Sequence, residues 1–117
     1  MRLKGSKTEL DLKQHLVNSN LLLSSDENHS TLLSILRKNF PNLRTAYVID
    51  WIPEQGEDIY QILVDDNVVA EIELDRHSKM HTRIESISVA QFKHGLSKVN
   101  QIRLAVAVDL VQKDLIQ

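Results

Sequence analysis

The chain has 117 residues, 42% of them hydrophobic and 26% charged, and its formal net charge at pH 7 is −2. A chain of this length buries about two-thirds of its unfolded surface in one fold, so residues 1–117 are predicted to form a single α+β domain. The near-neutral charge gives no electrostatic reason to expect binding to nucleic acid or to an anionic membrane surface.

Cysteine is absent, which excludes a disulfide framework and thiolate chemistry. The basic N-terminal residues are not followed by an apolar stretch, so no signal peptide is predicted. No apolar run approaches the roughly 18 residues of a membrane-spanning helix. These features favour a cytoplasmic protein that does not bind membranes.

Two capping-box patterns predict two helices before the first strand. Ser6 with Glu9 opens the first helix, and Ser24 with Glu27 opens the second. Apolar residues at helical spacing follow the second pattern, and that helix is expected to end at residues 39–41, where a proline follows. The two helices could pack as a pair, or both could lie on the sheet.

A first strand is predicted over residues 45–52, which are rich in β-branched and aromatic side chains. The buried face of this strand stays open between two sets of residues. These are Tyr47, Ile49 and Trp51, or Ala46, Val48 and Ile52.

Residues 59–75 have the most regular pattern in the chain and predict a β-hairpin. A two-residue turn would place apolar and acidic side chains on one face, which half-buried strands avoid. A three-residue loop over residues 65–67 gives a consistent apolar face. This register pairs Val64 with Val68, Ile62 with Ala70, Tyr60 with Ile72, Leu63 with Val69, Gln61 with Glu71, and Ile59 with Glu73. Asn67 is expected to take the positive φ of such a loop, so Asn67→Gly is expected to be neutral or stabilising.

The rest of the chain predicts one more strand and two helical segments. Residues 77–81 form a polar loop, and residues 83–89 a fourth strand. A short helical turn is closed by Gly95, and Ser97 caps a long C-terminal helix that ends near Ile116. Antiparallel neighbours with short connections give a meander. The predicted fold class is α+β: a four-stranded antiparallel meander, preceded by two helices and followed by a short helical turn and a long C-terminal helix.

The C-terminal segment has an apolar run over residues 104–108 that resumes at Leu110 and Val111. A helix that is apolar all round is covered on more than one side. The sheet and the N-terminal helices could supply that cover, or the helix could form a homodimer or partner interface. A fifth strand is a third interpretation because several residues are β-branched, but the charged ends favour a helix.

Glu71, Glu73 and Asp75 alternate along the second hairpin strand, and His77 and His81 follow them. Carboxylates with an imidazole suit Mg²⁺ or Mn²⁺, so a small metal-dependent hydrolase is the alternative function. A carboxylate stripe on an antiparallel strand is more commonly its solvated face. Because the sequence has no nucleophile motif, phosphate loop or zinc-ligand spacing, no catalytic residue, metal site or cofactor is predicted.

Trp51 is the only tryptophan and lies beside an acidic turn. The simplest interpretation is a core or rim aromatic, and the functional one is a binding anchor, because tryptophan is enriched among interface hot spots. The turn and the carboxylate stripe together would make one side of the sheet negative, which suits a basic protein partner. The sequence therefore favours a protein-interaction module, such as an immunity or regulatory protein, over an enzyme. The candidate binding residues are Trp51, Glu54, Glu57, Asp58, Glu71, Glu73 and Asp75.

Overall fold

The computed structural model describes residues 7–24, 26–78 and 80–116. Within these residues the helices and strands are α1 (Lys7–Asn18), α2 (Glu27–Asn39), β1 (Ala46–Pro53), β2 (Glu57–Val64), β3 (Val68–Asp75), β4 (His81–Ser88), α3 (Val89–Lys93) and α4 (Lys98–Ile116). The predicted order of elements and the antiparallel meander are confirmed. Ser6, the expected cap of α1, lies outside the described residues. In the described ranges, no helix combines the length and apolarity needed to cross a membrane.

The strands form one sheet in the order β1-β2-β3-β4, and each pair of neighbours is antiparallel. β2 and β3 pair in the predicted register, with Tyr60 opposite Ile72. The three-residue loop is therefore confirmed. The prediction for its conformation is wrong, because the residue with positive φ is Asp65 (φ 51°) and not Asn67.

Asp65 adopts this conformation while its carboxylate binds backbone groups of the preceding loop. Its Oδ1 accepts hydrogen bonds from the N–H groups of Arg44 (2.9 Å) and Thr45 (3.0 Å). Aspartate tolerates positive φ better than most residues because its short polar side chain can hydrogen-bond locally. These bonds fasten the hairpin loop to the start of β1.

β1 contains a bulge that changes which residues face each side of the sheet. Its pairing with β2 skips between Val48 and Asp50, so Ile49 is an extra residue. Val48 packs in the core under α2, whereas Tyr47 and Ile49 pack in the core under α4. Both candidate sets for the buried face were therefore partly right, because both faces of β1 contribute to a core.

Two apolar cores lie on opposite faces of the sheet. On one face, α2 packs on the sheet through Leu32, Ile35 and Leu36, which contact Tyr60, Ile62, Ala70 and Ile72. On the other face, α1 and α4 pack through Leu16, Leu104, Ala107 and Val111, which contact Tyr47, Leu63 and Val69. Both N-terminal helices therefore lie on the sheet, but on opposite sides of it.

α2 begins at Glu27, and its N-cap is Asp26 and not the predicted Ser24. Oδ1 of Asp26 accepts the N–H groups of Asn28 (2.8 Å) and His29 (3.2 Å). Oγ of Ser24 accepts the N–H of Asp26 and lies 3.0 Å from Nδ1 of His29. The carboxylate of Asp26 therefore has the capping role that the sequence pattern assigned to Ser24.

α4 is a helix covered by β1 and α1, so the fifth-strand interpretation is wrong. Ser97 caps it as predicted, because its Oγ accepts the N–H of Asn100 (3.2 Å). Its last turn is hydrogen-bonded to the start of β1 and the residue before it, because Thr45 Oγ1 (2.9 Å) and the Tyr47 hydroxyl both donate to Oδ2 of Asp114. Burial, reinforced by the Asp114 carboxylate, raises the pKa of Tyr47 to about 12.

Candidate functional site

Trp51 lies after the bulge in β1, and 55% of its surface is exposed. Its indole stacks on Tyr60 of β2, with ring centroids 6.4 Å apart and planes inclined by 14°. Its Nε1–H donates to Oδ1 of Asp58 at 3.2 Å. An exposed tryptophan held by these two contacts has little side-chain freedom left to lose when a partner binds.

Asp58 is 6% exposed, so it is not the surface charge that the acidic turn suggested. Its Oδ1 lies 3.0 Å from Nη2 of Arg76, which also donates to the carbonyls of Glu54 (2.9 Å) and Glu57 (3.2 Å). The hydrogen bond to Asp58 raises the pKa of Arg76. Burial, followed by the charge of Asp58, raises the pKa of Tyr60. Asp58 and Arg76 thus position Trp51 and the turn from beneath.

A groove of ≈ 590 Å³ lies beside Trp51, where β1 forms an edge of the sheet. α1 lines it through Leu12 and Leu16, α2 lines it through His29, and Val48 of β1 contributes to the floor. The groove exists because α1 and α2 pack on opposite faces of the sheet and leave part of the edge strand open between them.

The edge of β1 is paired in its first half. The segment 19–21 bonds to Ala46 and Val48 through two backbone hydrogen bonds, of 3.0 and 3.3 Å. Beyond the bulge, the N–H of Trp51 donates to Oδ1 of Asp50 at 2.9 Å. A neighbouring side chain, and not a further strand, therefore satisfies this donor of the edge.

The groove contains charged groups of both signs and two imidazoles. Nη1 of Arg103 lies 3.8 Å from Oδ1 of Asp50, and Asp26 caps the α2 wall. His15 and His29 line the groove on its two helical sides. Apolar walls with a few convergent polar groups are typical of a binding site.

Glu71 and Glu73 lie on the face of the sheet opposite Trp51, where they contact Arg83 of β4. Nη2 of Arg83 is 2.7 Å from Glu71, and its Nε is 3.5 Å from Glu73. Its Nη1 is 3.2 Å from Glu85. In the described part of the chain, no three His, Asp or Glu side chains are grouped so that they could hold a metal ion. Glu71 and Glu73 therefore belong to an ion-pair network with Arg83 and Glu85.

Asp75, the third member of the predicted stripe, is used by the turn that follows β3. Its Oδ1 accepts the N–H groups of His77 (2.8 Å) and Ser78 (2.9 Å). These backbone hydrogen bonds, that of Ser78 first, lower the pKa of Asp75. The carboxylate therefore has a local structural role.

The predicted binding residues lie on two faces of the sheet and not on one acidic side. Trp51 and Asp58 lie on the face that α2 covers, whereas Glu71 and Glu73 lie on the other face. Glu57 pairs with Asp75 and belongs with the second group. Because successive strand residues point to opposite sides, even-numbered and odd-numbered residues of this hairpin cannot share a face.

The roles of Arg76 and Arg83 were not predicted from the sequence, although a signal for Arg76 was present. Asp58 is two residues before the apolar Tyr60, so the two side chains share the buried face of the strand. A carboxylate on that face requires a buried partner. The groove had no comparable signal, because its walls come from α1 and α2, whose placement on opposite faces no local pattern reveals.

Comparison of the chain with models of known protein families, with curated proteins and with solved structures gave no match.

Proposed function

We propose that this protein is a small protein-interaction module that binds a basic partner through Trp51 and the groove beside it. The observation that carries the proposal is the fixed, exposed indole, which Tyr60 holds by stacking and Asp58 by a hydrogen bond. Tryptophan residues in such positions are enriched among the few that dominate binding free energy at protein interfaces.

The charge around Trp51 favours a basic partner. The end of β1 carries the carboxylate of Asp50, and the turn after it carries the exposed carboxylate of Glu54. The cations beside them are Arg103, which pairs with Asp50, and Arg76, which is bound to the buried Asp58. The exposed carboxylate of Glu54 would speed encounter with a basic surface and disfavour acidic partners. Immunity proteins and regulators that cover a basic enzyme are classes with this requirement.

The structure changes which residues should be altered to test the proposal. Asp58 must stay intact, because a cation there would face Arg76 in a buried position. Trp51→Ala removes the anchor, and Glu54→Lys reverses a charge that is exposed. Asp66→Lys makes the same charge change at the exposed hairpin tip, at the opposite end of β2, and serves as the matched control.

The experiment is affinity capture of the tagged protein from its native lysate, with mass spectrometry. We expect one stoichiometric partner with a basic surface, lost with Trp51→Ala, reduced with Glu54→Lys and retained with Asp66→Lys. A partner that binds Trp51→Ala as well as it binds the wild type would overturn the proposal, as would a partner with an acidic binding surface.

The hydrolase alternative has a separate test. A metal site on the stripe requires Glu71 and Glu73 to exchange Arg83 for a metal ion. Binding would then raise the melting temperature in Mg²⁺ or Mn²⁺, and the rise would vanish in a Glu71→Gln/Glu73→Gln double variant. We expect no such shift, because Arg83 already binds both carboxylates.

A further inference from the structure

β4 forms the second edge of the sheet, and its principal neighbours are β3 and α3. The edge of β1 is partly paired by the segment 19–21. An edge strand presents a row of backbone donors and acceptors that can pair with another chain. The direction of those groups on β4 can be read from the hydrogen bonds at its two ends.

Two backbone hydrogen bonds fix the phase of the β3–β4 ladder. The N–H of Val89 donates to the carbonyl of Asn67 (3.0 Å), and the N–H of Asp75 donates to the carbonyl of Met80 (2.9 Å). Hydrogen-bonded and non-hydrogen-bonded pairs alternate along an antiparallel ladder. Both ends therefore indicate that the odd-numbered residues of β3 form the hydrogen-bonded pairs.

The same phase assigns the backbone groups of β4. Arg83 and Glu85 oppose odd-numbered residues of β3 and bond to that strand. Ile84 and Ser86 alternate with them, so their N–H and C=O groups point away from the sheet. Ser88 follows the same alternation as Ile84 and Ser86. Its N–H donates to the side chain of Gln91 (3.4 Å) and not to β3, which is consistent with this assignment.

We propose that β4 pairs antiparallel with β4 of a second copy of this chain, with Ile84 on the twofold axis, so that one sheet continues across both copies. This register brings the outward groups of the two Ile84 residues together. It also places Arg83 beside Glu85 of the second copy, and the symmetry repeats that contact. The opposite charges lie directly across the strands, where such pairs are stabilising.

Registers centred on the next two residues of β4 give less favourable cross-strand side-chain pairs. A pairing centred on Glu85 would place two glutamates opposite each other, and like charges in that position are destabilising. A pairing centred on Ser86 would leave Glu85 opposite Ile87. In the proposed register, Arg83 retains N–H donors for the second copy after binding the carboxylates of its own sheet. In each copy, the guanidinium group of Arg83 contacts three carboxylates, those of Glu71, Glu73 and Glu85. Because the negative charges outnumber the positive one, we expect a weak dimer and not an obligate one.

Sedimentation of the full chain up to millimolar concentration tests the register. In the Arg83→Glu variant, positions 83 and 85 are both acidic. In the Glu85→Arg variant, both positions are basic. Each variant alone should dimerise at least about tenfold more weakly, because like charges then face each other. An equimolar mixture of the two should associate at least as well as the wild type, because every charged pair is then complementary.

Ser86→Pro is a second variant that keeps the inference testable if a charge change disturbs folding. Proline is tolerated on an edge strand where the missing N–H points outward. We therefore expect Ser86→Pro to keep the wild-type circular dichroism spectrum and to lose self-association. A wild-type chain that stays monomeric at millimolar concentration would overturn the inference. So would a dimer that survives Ser86→Pro, which would place the interface outside the edge of β4.

Discussion

At the scale of single residues, Trp51 shows how a buried charge can fix the conformation of an exposed side chain before a partner binds. The indole is fixed through its ring by Tyr60 and through its N–H by Asp58, and Asp58 is in turn bound by Arg76. None of these contacts requires a partner to be present. The anchor is therefore formed before binding, which reduces the entropy that binding must overcome.

Replacing Asp58 separates support of the anchor from the anchor itself. We expect Asp58→Ala to lower the free energy of unfolding by about 1–3 kcal/mol, because Trp51 and Arg76 both lose an acceptor. Time-resolved fluorescence anisotropy should show faster indole motion, and the single tryptophan makes that signal specific. Asp58→Asn is the control, because its amide oxygen can still accept the indole N–H. Unchanged anisotropy in Asp58→Ala would contradict this account.

Tyr47 gives the fold a dependence on alkaline pH. Its pKa is about 12 in the fold, against 10.0 for an ordinary tyrosine. The folded state therefore keeps the proton at a pH where the unfolded chain has released it. This contribution to stability is complete below pH 10 and is lost as the pH rises from about 10 to about 12.

Tyr47→Phe isolates that contribution. At neutral pH we expect the variant to unfold with about 1–3 kcal/mol less free energy, because the hydrogen bond to Asp114 is lost. The advantage of the wild type should shrink through the alkaline range and should nearly vanish above the folded pKa. Urea unfolding at several pH values measures it. A difference between wild type and variant that is independent of pH would show that Tyr47 titrates normally.

At the scale of elements, the hairpin loop depends on one aspartate that has two roles. Asp65 accepts the N–H groups of Arg44 and Thr45, and it does so with positive φ. Asp65→Ala loses the acceptor and keeps the strained backbone, whereas Asp65→Gly loses the acceptor but removes the strain. We expect both variants to be destabilised, the alanine variant by about 1 kcal/mol more. Equal losses in denaturant unfolding would mean that the conformation carries little strain.

Asn67→Gly has the opposite expectation from the one that the sequence alone suggested. Because Asn67 does not have positive φ, glycine there relieves no strain and gives the unfolded chain more freedom. We expect a loss of about 0.4–1 kcal/mol, measured in the same unfolding experiment. A gain in stability would indicate that the loop conformation differs from the one described.

The elements that the sequence predicted well are those governed by local chemistry. Alternation of apolar residues defined the hairpin register through pairs such as Tyr60 with Ile72, and Ser97 marked the start of α4. The bulge at Ile49 was not predicted. Because β1 is apolar on both faces, an extra residue does not change its sequence pattern. The groove was not predicted for a related reason. It depends on which face of the sheet each helix covers, and because both faces are apolar, the sequence does not determine that placement.

At the scale of the whole molecule, one sheet separates two cores that share its strands. α2 closes one core through Leu36, and α1 with α4 closes the other, where Ile49 is buried. Neither core is complete without the sheet, so loss of one should expose the strands that support the other. The chain is therefore expected to unfold as one cooperative unit, although its apolar residues form two clusters.

Paired core variants test that cooperativity. We expect Leu36→Ala to cost about 2–5 kcal/mol and Ile49→Val about 0.5–1.5 kcal/mol. The double variant should lose the sum of the two within about 0.5 kcal/mol, because the sheet lies between the sites and they share no cluster. Far-ultraviolet circular dichroism follows the whole fold, and Trp51 fluorescence follows the edge of β1. The two signals should give the same midpoint in urea for all three variants. Separate midpoints, with fluorescence changing first, would instead show that the edge of β1 beside Trp51 opens before the whole fold unfolds.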